Sequence, residues 1–338
     1  MPPPTRTAVV ICCFTPQRLD DLRAARASLS HQTMLPALVI VVVDHHDDLF
    51  ALLSAELEAD TVVVRNSGRQ GLSDARNTGL RAAADADADA DIVMFLDDDA
   101  VAETTWVERM TAPFAAPDVV GVSGFAVPVW DAPGRPGWFP DEFLWVVGCS
   151  HRGLPDDGGA VRNPVGCAMA FRAKALSLAG GFVTELGRVG SSTAGCEETE
   201  VSLRLTAQAS GSVIVLARSA RVHHRVTAHR QRLDYFLRRC RGEGRSKAAV
   251  SRRHPGAATL RTERRFVVVT LLDATIRALG EGLTHLRPAA FARAGVIVIG
   301  LAATVVGYVD ARIRPERRPL TTPTAMSHAH RYRAGAAG

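Results

Sequence analysis

The 338-residue chain carries 40 Lys and Arg against 35 Asp and Glu, a formal net charge of +5, and 47% of its residues are hydrophobic. That length supports one large core, or a core with an appendage, and the opening Met1-Pro2-Pro3-Pro4-Thr5-Arg6 leads into a strand with no apolar h-region of a secretory leader. Six scattered cysteines, two of them adjacent (Cys12, Cys13) and none in a CxxC pair, argue for reduced cytosolic thiols over a disulfide framework or a zinc site.

Residues 8–13 (Ala-Val-Val-Ile-Cys-Cys) read as a first buried strand, with a Thr15-Pro16 turn behind it. Leu19 to Leu29 has helical spacing, and Leu38 to Val43 is a second all-apolar strand that ends at Asp44. A helix over Leu49 to Leu57, a strand at Thr61 to Val64, a helix over Gly71 to Ala83 and a strand at Ile92 to Leu96 follow. Strands apolar throughout, alternating with helices, predict a mostly parallel α/β sheet covered on both faces. The Ala-Asp alternation at 84–91 reads as a solvated connector. A helix is expected over Thr104 to Phe114, a strand at Val119 to Gly124, a helix over Met169 to Leu178, another over Glu197 to Ala207, and a strand at Ser212 to Leu216. Residues 128–162 hold Pro, Gly and Trp in a pattern too irregular for regular structure and too aromatic for disorder. A long ordered loop of that kind usually serves function.

The last third differs. Between Arg218 and Arg265 fifteen Lys and Arg face three acids, a charge suited to diphosphate, an anionic membrane surface or nucleic acid. No helix-turn-helix, zinc finger or RNP-like aromatic motif accompanies it, so nucleic acid is not an expected partner. Ala294 to Val309 runs sixteen residues without a charge, with arginines at 287, 293, 312, 314, 317 and 318 around it. A spanning helix needs about 20 apolar residues, so this one is either membrane-embedded or interfacial, or a buried helix of the folded domain. Phe266 to Ile276 is a second apolar stretch, too short to span.

The chemistry concentrates where Ile92-Val93-Met94-Phe95-Leu96 ends in Asp97-Asp98-Asp99. Three carboxylates at a strand exit must meet solvent or a cation, because burying unpaired charges costs several kcal/mol each. Asp97 and Asp99 are two apart and point the same way in an extended chain, and a hard divalent ion such as Mn²⁺ or Mg²⁺ suits them. Strand ends facing the crevice of an α/β sheet are where ligands bind.

With these come Val39 to Asp44, Gly71-Leu72-Ser73-Asp74-Ala75-Arg76-Asn77-Thr78-Gly79-Leu80, and Gly195-Cys196-Glu197-Glu198-Thr199-Glu200. Four motifs in this order resemble the inverting family 2 glycosyltransferases of the GT-A nucleotide-diphospho-sugar transferase fold, over about residues 7–226. The resemblance implies that Asp44 accepts a hydrogen bond from the nucleotide base and that Arg76 and Asn77 border the nucleotide. It places Asp98 near the ribose and makes Asp97 and Asp99 metal ligands. An inverting transfer needs a carboxylate that deprotonates the attacking hydroxyl opposite the leaving diphosphate. By register Glu198 matches that base, where most relatives carry Asp, and Glu197 or Glu200 would line the acceptor side. His224, after the last core strand, matches the third metal ligand.

The run Arg238 to Lys247, with Arg245 in it, would either fold over the diphosphate or form a membrane-facing basic surface. Trp138 and Trp145 offer an aromatic acceptor wall, and Met169 lies in a stretch resembling the family's small residues beneath the acceptor. The aromatic loop resembles bacterial members described as glucosyl- or glucuronosyltransferases, which favours a UDP-sugar donor and a hydroxyl acceptor. The organisation expected is a GT-A catalytic domain (1–226), a basic helical arm (227–262), apolar helices with membrane association (263–318) and a disordered tail (319–338), at the cytoplasmic face of the membrane. Two rivals stand beside it. One is a non-catalytic, membrane-associated sugar-nucleotide-binding scaffold. The other is a dinucleotide oxidoreductase, set aside because Cys13-Phe14-Thr15-Pro16 stands where G-x-G-x-x-G would follow the first strand.

Overall fold

The computed structural model describes residues 5–57, 60–85, 90–188, 195–255 and 266–314. Part of the Ala-Asp connector, three arginines of the basic stretch and the tail from 319 onward lie outside the described residues.

Each early strand alternates its side chains between two faces, as period-two geometry requires. In β1 (Thr7–Cys13), β2 (Leu38–Val43) and β4 (Ile92–Asp97), residues 9, 11, 39, 41, 43, 92, 94 and 96 enter one buried cluster while 8, 10, 40, 42, 93 and 95 enter another. The first cluster is covered by α1 (Leu19–Ser30), α2 (Asp47–Glu56) and α4 (Trp106–Thr111). The second is covered by α3 (Leu72–Asp85) and α6 (Glu197–Gln208). A sheet buried on both faces needs apolar residues at every position, which is why these strands read as unbroken hydrophobic runs.

β3 (Thr61–Arg65) lies outermost, and β3, β2, β1 and β4 pair in parallel. Beyond β4 come β8 (Ala168–Arg172), β6 (Val119–Trp130), β9 (Val213–Val226) and β5 (Ala100–Ala102), with β7 (Ala160–Val161) also on β9. β8 runs antiparallel to both β4 and β6. The helix expected from Met169 is therefore a strand, followed by a short helix α5 (Ala173–Leu178). A five-residue apolar run has no period of its own, and its two neighbouring strands decide its conformation. β6 and β9 also run well past their expected ends. Their register shifts between Ser123 and Phe125, and past that irregularity β9 carries His224 alongside Ala100 of β5.

Beyond the sheet, α7 (Leu233–Arg253) packs on the domain, and Phe236 and Cys240 join the main core. α8 (Leu272–His285) and α9 (Pro288–Ile313) follow. A Cβ on Gly244 of α7 would lie 2.0 Å from the Thr304 carbonyl oxygen, and one on Gly307 of α9 2.0 Å from that of Arg241. Two backbones this close admit only glycine, as in close-packed helix pairs generally. Arg277 of α8 donates to the buried Glu142 in the aromatic loop.

Gly244→Ala tests that contact. Alanine favours a helix over glycine by about 1 kcal/mol, but overpacking against backbone costs about 1–3 kcal/mol, and backbone cannot rotate away. The expected outcome is a lower urea midpoint with an unchanged m-value.

Candidate active site

The parallel strands β1, β2 and β4 exit toward the same crevice. Asp44 follows β2, the 3₁₀ turn Pro16–Arg18 follows β1, and Asp97 closes β4. A tight turn at Asp98-Asp99 leads straight into β5, which the sequence reading did not anticipate. That turn and the long β9 bring Asp97, Asp99 and His224 together: one ligand atom from each lies within 4.8 Å of the others. Two carboxylates and an imidazole form a donor set suited to Mn²⁺ or Mg²⁺.

His224 is held on both ring nitrogens. Its Nε2 lies 3.1 Å from Asp99 Oδ1 and its Nδ1 3.6 Å from Cys149 Sγ, while Gly148 at φ +81° packs flat beneath the ring. The other oxygen of Asp99 meets Arg18 and Arg230, both at 3.2 Å. Burial would raise Asp99, but His224 and the two guanidiniums outweigh it and hold the carboxyl far below the usual range. Burial would likewise lower His224, and Asp99 outweighs that and pushes it well above the usual imidazole range. Asp98 goes the other way: burial, with Asp99 beside it, raises it to about 7 against the opposing charge of Arg18. Its Oδ1 accepts from Arg18 at 2.9 Å, and its Oδ2 is buried without a hydrogen-bond partner among the described residues.

Arg76 joins this cluster to the acids of α6. From the buried face of α3 it donates to Glu197 at 2.9 Å, to the Gly166 carbonyl at 3.0 Å and to Asp97 at 3.5 Å. Glu197 Oε2 is buried and unpartnered among the described residues. Glu198 is half-buried beside Gly166, where a Cβ would come within 3.9 Å of its carboxylate. Burial first and the Glu197 charge second raise Glu198 to about 8, with Arg76 opposing. The residue leading into α6, Cys196, sits at φ +68°. A non-glycine residue held there stores of order 1–3 kcal/mol and is a mark of functional sites.

Asp44 sits at the crevice with Asn66, His45 and the Gly71 amide donating to its carboxylate. A carboxylate has about four acceptor positions, so among the described residues one remains open.

Several expected residues do other work. Asn77 is buried and exchanges two hydrogen bonds of 2.8 Å with the backbone of Phe182, so its amide clamps that loop. Glu200 is 2% exposed, and its carboxylate is engaged by Arg204 and His254. Arg245 points to Asp310 of α9, 2.6 Å away, because α9 covers that side of α7. Met169 is fully buried in the sheet core. Trp138 packs edge-on to Phe236 and against Phe139 and cements the aromatic loop to α7. Trp145 is half-buried, three residues before Gly148, which packs on His224.

Arg18 and Arg230 are what sequence reasoning missed. Each follows a core strand within a 3₁₀ turn, so the strand-exit rule points at both. Only the folded β9, however, brings Arg230 back to Asp99.

Residues 8–178 match the model of glycosyl transferase family 2. The chain belongs to that family. The family 2 chain is 30% identical over 256 residues to the glucosyl-dolichyl phosphate glucuronosyltransferase of Haloferax volcanii, covering 75% of itself and 80% of that protein. Among solved structures it resembles the mannosyltransferase PcManGT of Pyrobaculum calidifontis, solved with GDP-Man and Mn²⁺ (TM-score 0.57, 17% identity, 90% of this chain and 87% of that one). It also resembles GalNAc-T7, solved with UDP, GalNAc and Mn²⁺ (TM-score 0.51, 16% identity, 78% of this chain), of which it spans 54%. The fold is GT-A, and the protein is a glycosyltransferase.

Two outcomes follow from this geometry. Asn77→Ala should lower stability by about 1–3 kcal/mol, the cost of stranding buried backbone partners, while leaving the KM for donor unchanged. A cation bound at His224 must displace the proton that Asp99 stabilises there. Isothermal titration with Mn²⁺ should therefore show affinity rising by up to about tenfold per pH unit across the neutral range, with proton release.

Proposed function

We propose that this transferase moves a sugar, with inversion, from a nucleoside diphosphate donor to an acceptor hydroxyl, with Glu198 as general base. The observation that carries the reading is the joining, through Arg76, of the Asp97, Asp99 and His224 cluster to an acidic pair in which Glu197 takes the Arg76 hydrogen bond and Glu198 is raised.

Asp97, Asp99 and His224 would hold Mn²⁺ or Mg²⁺, which supplies Lewis-acid stabilisation of charge on the departing diphosphate. Arg18 and Arg230, already at Asp99, are within reach of the same anion and can pair with its oxygens. Asp44 recognises the base, and the orphan Oδ2 of Asp98 awaits a hydroxyl donor such as ribose supplies. Glu197 accepts from Arg76 and orients it. Glu198 takes the acceptor proton as the new glycosidic C–O bond forms, and the anomeric C–O bond breaks on the opposite face with its electron pair leaving on the nucleoside diphosphate. A base matched to operating pH is more effective than an ordinary carboxylate, and burial beside Glu197 provides that match. Trp145 stands as an acceptor contact near Gly148.

A UDP-sugar is the favoured donor. The likeness to the Haloferax protein supports a glucose- or glucuronate-type sugar and, as acceptor, a sugar carried on a lipid phosphate, which would place the enzyme at a membrane. The non-catalytic scaffold reading makes the opposite forecast for turnover.

The test is release of nucleoside diphosphate from UDP-, GDP- and dTDP-sugars with Mn²⁺. One donor should be turned over slowly, with activity lost in EDTA and in Asp99→Ala. Glu198→Gln should retain nucleotide binding and lose about 10²–10⁴ in transfer rate. Equal turnover by Glu198→Gln overturns the base assignment. Glu198 must be deprotonated to act and its pKa is raised, so the rate should climb with pH up to about 8 and level off above it. A plateau already reached at pH 6 would contradict the raised carboxyl.

A further inference from the structure

The last two helices present an apolar surface that the catalytic core does not use. On α8, Leu272, Ile276, Leu279 and Leu283 are between 42% and 69% exposed at helical spacing, while Ala274, Ala278 and Gly282 on the opposite side are buried. On α9, Val298, Val305, Val306, Val309 and Ile313 are between 45% and 72% exposed. Val268 and Val269, in the turn before α8, extend the same surface. Scattered exposed apolar residues are ordinary; a contiguous face built by two helices marks an interaction site.

The other stripe of α9 settles how this face can meet a partner. Ala290, Ala294, Ile297, Gly300 and Gly307, spaced by three, four or seven residues, face the protein. A Cβ on Gly300 would strike Phe236 and Phe143. Ile297 belongs to the main core, and Gly307 touches the backbone of α7. α9 is 26 residues long and apolar enough to cross a bilayer. To do so it would have to leave α7, or carry into hydrocarbon a helix studded with Arg241, Arg245, Lys247 and Arg252. Each charge at the bilayer centre costs upward of about 2.5 kcal/mol.

Charge selects the occupant. Asp273 and Glu281 pair with Arg277, Arg287 and Arg293, and Asp310 pairs with Arg241 and Arg245. Arg312 and Arg314 at the end of α9 are exposed and have no acidic partner among the described residues. The rim is net cationic. It suits anionic headgroups and would repel itself across a twofold contact with a second copy.

We propose that α8 and α9 dock the enzyme in the plane of an anionic lipid bilayer, with their exposed stripes in the headgroup–acyl boundary and neither helix spanning. The face is tied to the catalytic domain: Phe266 packs edge-on to His151 at 5.1 Å, and Thr270 lies under Gly153. Docking therefore fixes the orientation of the whole core against the membrane. The proposal stands on this surface alone and does not depend on the identity of the base, donor or acceptor.

The test uses the full chain with vesicles of phosphatidylcholine and phosphatidylglycerol in equal parts, or of phosphatidylcholine alone. The protein should sediment with the anionic vesicles, bind neutral ones less, and be released by alkaline carbonate. Ile276→Glu combined with Leu283→Glu should lower partitioning about tenfold or more. It should keep the wild-type rate of donor hydrolysis, which reports a folded site. Protein that resists carbonate extraction would be spanning and would overturn the in-plane mode. Protein that stays soluble, or that dimerises through this face and ignores vesicles, would overturn the lipid partner. Loss of donor turnover with vesicle binding intact would count against the transferase reading only.

Discussion

Arg76 is the constraint on which the site is built. Its guanidinium is buried in α3, and a buried cation is tolerable only when anions and carbonyls surround it. Asp97 at the end of β4, the Gly166 carbonyl and Glu197 at the start of α6 provide that surrounding. One side chain thus ties together three segments distant in sequence, and sets the separation between the place where a diphosphate would leave and the place where a hydroxyl would attack. It also divides the acids. Glu197 takes the Arg76 hydrogen bond, while its neighbour Glu198 is raised, first by burial and then by the charge of Glu197. The two adjacent glutamates are set apart by which of them accepts from Arg76.

The metal side obeys the same electrostatic rule. Asp97, Asp98 and Asp99 could not stand together without compensation. In the absence of a cation the compensation comes from Arg18, Arg230 and a protonated His224. Each of these groups bears on Asp98 or Asp99, and each is positive where a divalent ion and a diphosphate would otherwise supply and share charge. The set could hold a divalent cation, and a cation held at His224 would displace the proton there and leave Arg18 and Arg230 able to meet an anion. Glycine at 148, in a left-handed conformation, lets the loop lie against the imidazole without displacing it.

The C-terminal helices belong to the same object. α7 has two faces, one toward Gly195-Cys196, where Glu243 accepts from Cys196 and Ser246 from the Gly195 amide, and one pressed on α9 through Gly244. The helix that borders the segment leading into α6 is thus also the helix that carries the apolar C-terminal layer. The exposed apolar stripes of α8 and α9 are thus one helix away from Glu197 and Glu198.

Local chemistry was legible in the sequence wherever a single segment decides it. Unbroken apolar strands announced a sheet covered on both faces. A strand running into Asp97-Asp98-Asp99 announced a cation site, because such charges cannot be buried unpaired. The order of four motifs announced family 2. What the chain could not disclose residue by residue was which way a side chain turns once helices and strands pack. Asn77 and Glu200 sit in motifs beside Arg76 and Glu198, yet a turn of the helix sends them to Phe182 and to Arg204. Met169 lies in a run with no period of its own, and the strands on either side make it core. Arg245 meets Asp310 only because α9 folds back over α7. The same sixteen uncharged residues read as a membrane-embedded or interfacial helix, or as a buried one, and the close contact of Gly244 and Gly307 keeps one stripe on the protein and leaves the other exposed. Composition and spacing determined which charges and apolar faces exist; tertiary packing decided which of them meet, since burial and pairing depend on neighbours the chain brings from far away.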